Sequence, residues 1–462
     1  MNVIVVAVAN HLGYKTKTLN QELDQRLQWA KDNPSLCFFP YNTIDIRLPS
    51  AAKDNDKIRI SCCCNLEFPL TQQNLAIDPF NKLKATMNGG NLPVDCLKCT
   101  HEEKTGGVSE RIRDILAKDL AELENFKNSR EIKTFELRIL VSNICNLACR
   151  SCEPYSSSTF AKITNVDNLD HLNVDVTDIE KFWEVITNTV LAKIDSSQHF
   201  YIHFMGGEPL LHKGNRKIVN WLLDNKLNEK TLIRITTSIN IPINIKLLEN
   251  FDKFKGVDFL FSFDSVNENY HYVRWPAKFE KTLNNLNEIV DYKNNSKSQT
   301  PFNYILSPVF SLNNIFYIKD YLDFWYTWLK EKNVNLLFLN TNLLYRTRYL
   351  DFQALPIKYR DILKIQLYKI LTHPILTDYN ESMKHLHNFL TSAIFELDSW
   401  KEDYKLWNQF LKHTAEFDIR TGVSFEKYNK NFYDILTLAD KDLFVQKVKA
   451  VNKLQKIDFI KW

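Results

Sequence analysis

The chain is short of glycine, with 10 in 462 residues, about 2% where soluble proteins carry roughly 7%. Six of the ten stand in three pairs, Gly89-Gly90, Gly106-Gly107 and Gly206-Gly207. A sequence this sparing keeps a pair where the backbone must turn sharply or approach a ligand. An excess of one charge is also lacking. Lys and Arg number 59 against 55 Asp and Glu, a formal +4, so no global field draws the chain to nucleic acid or to a membrane surface. No stretch approaches the 18 or so uncharged apolar residues of a spanning helix, and no membrane partner is expected. The opening MNVIVVAVAN has no basic segment before its apolar run and no small-residue cleavage site after it. It reads as a buried strand rather than an export signal, which makes a cytoplasmic location the expectation. The 44% hydrophobic and 25% charged content excludes a disordered or fibrous chain, and the length fits two or three domains.

Cysteine is absent after Cys152: all nine lie between Cys37 and Cys152. An odd number in a chain without an export signal argues against a disulfide framework and for metal or cluster ligation. Residues 1–36 read as a strand and a polar amphipathic helix. Residues 37–107 read as a compact module of short strands, one small helix and six cysteines, with a core too poor to hold it without a metal staple. Residues 108–133 form a charged helical linker. From 134 to 350 strands and helices alternate: FELRIL, HFYIHFM, LIRITTSI, VDFLFSFD, FNYILSPVF and VNLLFLN are six strands, each but the last followed by a loop or helix. Six βα units in succession predict an α/β fold with a parallel sheet, closed or partly closed into a barrel. Residues 351–462 read as a helical extension rich in aromatics and lysine.

The chemistry concentrates in Cys145-Asn-Leu-Ala-Cys149-Arg-Ser-Cys152, directly after the first strand of the βα series. Three thiolates at C-x3-C-x2-C can hold three irons of a [4Fe-4S] cluster and leave the fourth iron open for a chelating cosubstrate. A zinc knuckle or three buried structural cysteines is the alternative, although zinc wants a fourth ligand and none stands within the loop.

This loop, together with Met205-Gly206-Gly207-Glu208-Pro209-Leu210-Leu211 after the second strand, resembles the radical S-adenosylmethionine (SAM) superfamily. The resemblance implies a partial (βα)6 radical SAM barrel. It also implies that SAM chelates the open iron and that the Gly206–Pro209 segment receives its methionyl amino group. A branched side chain at Gly207 is therefore expected to block SAM while sparing the iron. Polar residues at later strand ends would hold the rest of SAM: Thr237, Ser238 and Asn240, then Ser262, Asp264 and Arg274, then Ser307 and Asn313. Each of these is also of a type common in turns and helix caps. Phe204 and Tyr155 are as suited to a core as to adenine.

The N-terminal module is similar to the twitch/SPASM-type auxiliary-cluster module of radical SAM enzymes, in a version preceding the barrel. The matching pieces are Cys37-Phe-Phe-Pro40-Tyr41, the strand ending in Cys62-Cys63-Cys64, and Cys96-Leu-Lys-Cys99. Four thiolates, from Cys37, Cys63, Cys96 and Cys99, suit a second [4Fe-4S] cluster, with zinc as the alternative metal. The family shows two adjacent cysteines after a glycine-containing hairpin, whereas this chain has three and no glycine. Strand alternation places Cys63 opposite Cys62 and Cys64 and favours Cys63 as the ligand.

The expected function is that of a radical SAM enzyme. It cleaves SAM reductively to a 5′-deoxyadenosyl radical and abstracts hydrogen from a small-molecule, sugar or peptide substrate, with electrons from a flavodoxin- or ferredoxin-type donor. No catalytic residue beyond the cluster is assignable. A peptide-modifying enzyme and a non-catalytic iron–sulfur or zinc scaffold are the competing readings. No leader-binding winged helix is legible, which favours a small-molecule or sugar-like substrate.

Overall fold

The computed structural model describes residues 25–47, 59–63, 68–69, 80–104, 109–130 except 117 and 119, 134–140, 142–166, 199–334, 336–338, 347–399 and 401–459. The opening apolar run, Gly106-Gly107 and Cys64 lie outside them. In chain order the strands are β1 Thr43–Arg47, β2 Arg59–Ser61, β3 Phe68–Pro69, β4 Thr134–Leu140, β5 Ala148–Cys149 and β6 His199–Phe204. They continue with β7 Thr231–Thr237, β8 Gly256–Phe261, β9 Arg274–Trp275, β10 Phe302–Leu306 and β11 Leu336–Phe338. The six strands read from the periodicity are β4, β6, β7, β8, β10 and β11, so the α/β class with parallel strands is the observed one.

The chain divides into two compact units. The first holds residues 1–141, 174–204 and 227–232. Its strand order is β6-β4-β1-β2-β3. β4 runs parallel to β6, with Leu137 opposite Ile202, and parallel to β1, with Ile46 opposite Ile139. β1 and β2 are antiparallel, as are β2 and β3. Thus Thr43–Arg47 lies directly beside Thr134–Leu140, a pairing that crosses the boundaries drawn at 107 and 133 from composition. Alternation puts the apolar side chains on one face: Ile44, Ile46, Leu137, Ile139, Ile202 and Phe204 are buried there. Asp45, Glu136, Arg138 and His203, at the intervening positions, form a polar network. Arg138 holds Glu136 at 2.9 Å, and His203 Nδ1 lies 2.9 Å from the same carboxylate.

The first unit also has more core than its text suggested. Trp29, Ala30, Leu36, Phe38, Ile112, Ile115, Leu123 and Phe126 pack together, joining the helix that ends at residue 32 to helices Glu110–Leu116 and Leu120–Ser129. The residues counted as a linker therefore supply half of that core. Arg111, buried, holds Glu103 at 2.5 Å and donates to the Asn33 and Leu36 carbonyls at 3.2 and 3.3 Å. This ties helix Leu97–Lys104 to the chain entering Cys37.

The second unit holds residues 142–173, 205–226 and 233–462. Its main strands run in the order β11-β10-β8-β7, with β10 parallel to both β8 and β11. β5 and β9 form a separate antiparallel pair, Cys149 opposite Arg274. Helices Lys213–Asp224, Phe279–Asn295 and Ile318–Lys332 follow strands as expected. Beyond Pro356 the chain is helical, the longest helices being Asn380–Ser399, Tyr404–Thr421 and Leu438–Phe459. No described helix is long and apolar enough to cross a membrane.

Candidate functional site

The cysteine loop is held from both sides by its own sequence. The Ser-Ser-Ser-Thr run after Cys152 begins a short helix, Ser158–Thr164, whose N-cap Ser157 accepts from the Phe160 amide at 3.0 Å. Polar side chains from this run then reach back. Ser157 donates to the Leu147 carbonyl at 2.5 Å, Thr159 to the Cys145 carbonyl at 2.6 Å, and Ser158 Oγ accepts the Cys145 amide at 3.2 Å. These are the local side-chain bonds that Ser and Thr favour next to a helix start. The loop's Asn146 donates to the Asn240 carbonyl at 2.8 Å. The preceding residue, Ile239, is β-branched and held at φ 44°, where such residues are strained. Asn285 fixes the bend by donating to the carbonyls of Ile239 and Ile241 at 2.6 and 2.8 Å.

Cys145, Cys149 and Cys152 lie within electrostatic reach of one another, and each thiol is pushed up chiefly by burial, Cys152 to about 12. The loop on its own does not stabilise free thiolates, so a positively charged metal centre has to supply what burial removes. Two groups already favour the anionic sulfurs: the Leu147 amide 3.4 Å from Cys145 Sγ, and Arg274 Nη1, 3.6 Å from Cys149 Sγ. Burial works against the Arg274 charge, but Asp264 and then Cys149 outweigh it, and the guanidinium is held above its ordinary value. Asp264 pairs with Arg274 Nε at 2.8 Å and accepts the Val309 amide at 2.8 Å.

The glycine pair closes on the cysteine loop. Gly206 has φ 109°, which glycine adopts freely. A Cβ on Gly207 would sit 2.3 Å from the Ile144 carbonyl oxygen and 2.7 Å from the Asn143 carbonyl carbon. The Gly207 amide donates to the Ser142 carbonyl at 2.9 Å and the Glu208 amide to the Ile144 carbonyl at 2.8 Å. The close approach at Gly207 is therefore to the chain's own cysteine loop. Gly207→Ala is expected to displace residues 143–144, lower stability by about 1–3 kcal/mol and lose iron from the loop. Thermal unfolding and iron analysis check this, and wild-type iron in a folded variant would contradict it. The earlier expectation that a side chain here spares the iron gives way to this contact.

The Glu208 carboxylate, buried, is consumed within the protein. It accepts Thr237 Oγ1 at 2.6 Å, the Ser238 amide at 2.9 Å, Ser238 Oγ at 2.7 Å and the Leu210 amide at 3.2 Å. A buried carboxylate needs this many donors, and it staples the Gly206–Pro209 turn to the end of β7. The Pro209 carbonyl accepts Asn215 Nδ2 at 3.0 Å. Ser262 and Ser307 directly follow β8 and β10, with the Ser262 amide on the Thr237 carbonyl and the Ser307 amide on the Phe261 carbonyl, both at 2.9 Å. Asn313, buried, lies on the loop after β10. The second unit thus carries the cysteine loop, the Gly206–Pro209 turn and every strand-end residue named from the sequence. Thr237, Ser238, Asp264 and Arg274 are engaged with protein partners. Tyr155 is 42% exposed and Phe204, in the first unit, is core.

In the first unit, Cys37 is pushed well up by burial, with Asp114, Cys63 and Cys96 as further neighbours that raise it. Cys96 is pushed up to about 12 by burial, and then by Cys63 and Cys99. The four cysteines named for an auxiliary centre are therefore electrostatic neighbours. Cys62 is fully buried while Cys63 is half-buried. Cys96 and Cys99 lie at the junction of the 3-10 turn Val94–Cys96 and helix Leu97–Lys104 rather than on a free turn. Among the described residues, no three His, Cys, Asp or Glu side chains converge to hold a single metal ion. A zinc ion needs its donors about 2.0–2.3 Å from one point; a cubane takes one thiolate per iron and needs no such convergence.

Two functional features escaped the sequence reading. One is the Ser157–Thr159 anchor, whose signal was the polar run after the last cysteine. The other is Asp418, 268 positions from the Arg150 it pairs with, for which no local signal exists.

These parts sit on parallel α/β strands, with a three-cysteine loop closed by a glycine turn. Residues 139–315 match the family model described as the Radical SAM superfamily. Over these residues the chain is similar to radical SAM domains. No curated protein matches the chain. Among solved structures, native anSMEcpe with bound AdoMet is 20% identical over 53% of this chain and 62% of its own, with a TM-score of 0.37. The form with AdoMet and Cp18Cys peptide is 19% identical over 53% and 61%, at 0.37. SuiB of Streptococcus suis bound to its precursor peptide SuiA is 13% identical over 61% and 60%, at 0.33. The chain thus spans about three-fifths of the length of these structures. Likeness of this degree says nothing of substrate.

Proposed function

We propose that the protein is a radical SAM enzyme whose Cys145, Cys149 and Cys152 hold a [4Fe-4S] cluster with one open iron. Bound there, SAM and the cluster supply reductive cleavage to methionine and a 5′-deoxyadenosyl radical that abstracts hydrogen from substrate. The observation that carries this reading is the direct closure of the Gly206–Glu208 turn onto residues 142–144 at the entrance of the three-thiol loop. That closure brings the two family motifs together. The chain's own groups do the rest of the work: Arg274 and the Leu147 amide favour the thiolates, Glu208 fixes the turn, and Asn146 fixes the loop. Ser262 and Ser307 are offered as groups for the polar ends of SAM. The substrate is a small molecule, sugar or peptide, and a flavodoxin- or ferredoxin-type protein is the donor.

Cys37, Cys63, Cys96 and Cys99 are proposed to hold a second, auxiliary [4Fe-4S] cluster. In the first unit Cys37 has Cys63 and Cys96 as neighbours, and Cys96 has Cys63 and Cys99, which supports this reading. Anaerobically reconstituted protein given dithionite and SAM tests the main reading: 5′-deoxyadenosine should accumulate. A protein that binds iron but makes none is a scaffold.

A further inference from the structure

We infer that Asp418, on helix Tyr404–Thr421, is a positioning residue for the cysteine loop, acting through Arg150. The inference rests on the reading of Cys145, Cys149 and Cys152 as cluster ligands.

Only Arg150 and Ser151 separate two of the three ligands, so whatever fixes Arg150 fixes the spacing of Cys149 and Cys152. Arg150 is 1% exposed. Its guanidinium lies over the Tyr272 ring at 3.6 Å and the Phe417 ring at 4.4 Å. Nε donates to the Tyr272 carbonyl at 2.9 Å, Nη2 donates to Asp418, and the backbone amide donates to the Val273 carbonyl at 2.9 Å. The other Asp418 oxygen accepts the Phe425 amide at 2.5 Å, which anchors the acceptor itself. Two residues beside Asp418 make contacts of the same kind. Phe417 packs with Ala148 and Phe160, with Cys152 against the cluster they form. Arg420 donates to the Ile163 carbonyl at 2.7 Å. The C-terminal part of a helix some 260 positions downstream therefore holds the loop and the short helix that follows it.

A buried cation stripped of its carboxylate partner is not tolerated in place. Its relaxation is transmitted to the two cysteines that flank it. A planar guanidinium lying against two rings and hydrogen-bonded through both Nε and Nη2 is also a shape that lysine cannot reproduce.

The test compares two buried carboxylates of the same helical region. Asp418→Asn removes the Arg150 partner. Asp440→Asn removes a carboxylate that accepts Trp407 Nε1 at 3.0 Å and the Tyr359 hydroxyl, away from the cysteine loop. Both variants should unfold at lower temperature. Asp418→Asn alone should release its SAM-responsive cluster to a chelator at least tenfold faster and alter the electron paramagnetic resonance spectrum of the reduced cluster. Asp418→Glu should restore part of the loss. Equal iron release from the two Asn variants, or wild-type retention in Asp418→Asn, would overturn the inference and leave Asp418 a stability residue. If Asp418→Asn does not fold, Arg150→Met/Asp418→Leu leaves no orphaned charge and carries the test. Faster cluster loss from that double variant supports the inference, and wild-type retention overturns it. A wild-type protein with no iron in this loop would instead overturn the cluster reading on which the inference rests.

Discussion

Replacing Cys145, Cys149 and Cys152 together by Ala should remove about four of roughly eight irons, one cubane of two, and abolish 5′-deoxyadenosine formation. The loop offers three cysteines, Cys145, Cys149 and Cys152, and its sequence holds no fourth thiol to replace them. The fold should survive better than the chemistry, because the loop is pinned by Ser157, Ser158, Thr159 and Asn146 rather than by the sulfurs alone. Loss of all iron would mean that the loop's metal also stabilises the first unit. Full iron, or persistent SAM cleavage, would contradict the assignment.

The Cys96→Ala/Cys99→Ala protein should show the complementary pattern. It should lose about four irons, keep an uncoupled production of 5′-deoxyadenosine, and fail to convert the true substrate. The second unit keeps its three thiols and glycine turn intact in this variant. The first unit should hold together, since the packing around Trp29, Phe38 and Phe126 and the Arg111–Glu103 pair do not depend on these sulfurs. Structural zinc would give a different outcome: iron unchanged and zinc lost, at a cost to the stability of the segment around Cys96 and Cys99. Elemental analysis of wild type and double variant, prepared without oxygen, separates the two.

The six barrel-type strands were legible because each is a short β-branched or aromatic run between polar turns, and every one lies where the periodicity put it. The cysteine loop was legible for a related reason, since its spacing is a property of eight consecutive residues. What escaped is long-range. Nothing in TIDIR announces that it pairs in parallel with a strand some 90 positions on, and the boundary drawn from composition cut through that pairing. Glycine scarcity pointed correctly to Gly206-Gly207 but not to what Gly207 approaches, because a missing Cβ records a close contact without naming its partner. The protein partners of Glu208, Asp264 and Arg274 were not legible either, and they leave the SAM contacts expected of these residues a proposal. Side-chain type announces hydrogen-bonding capacity and leaves its use to tertiary packing. Asp418 and Arg150 are the extreme case, two charged residues in unrelated text that meet only in the folded chain.

The most direct measurement of the central claim is the electron paramagnetic resonance spectrum of the dithionite-reduced protein, recorded with and without SAM. An open iron chelated by SAM predicts a reduced [4Fe-4S] signal that changes on SAM addition, together with 5′-deoxyadenosine on warming. A signal indifferent to SAM, or a protein that takes up zinc and no iron at the Cys145 loop, would contradict it.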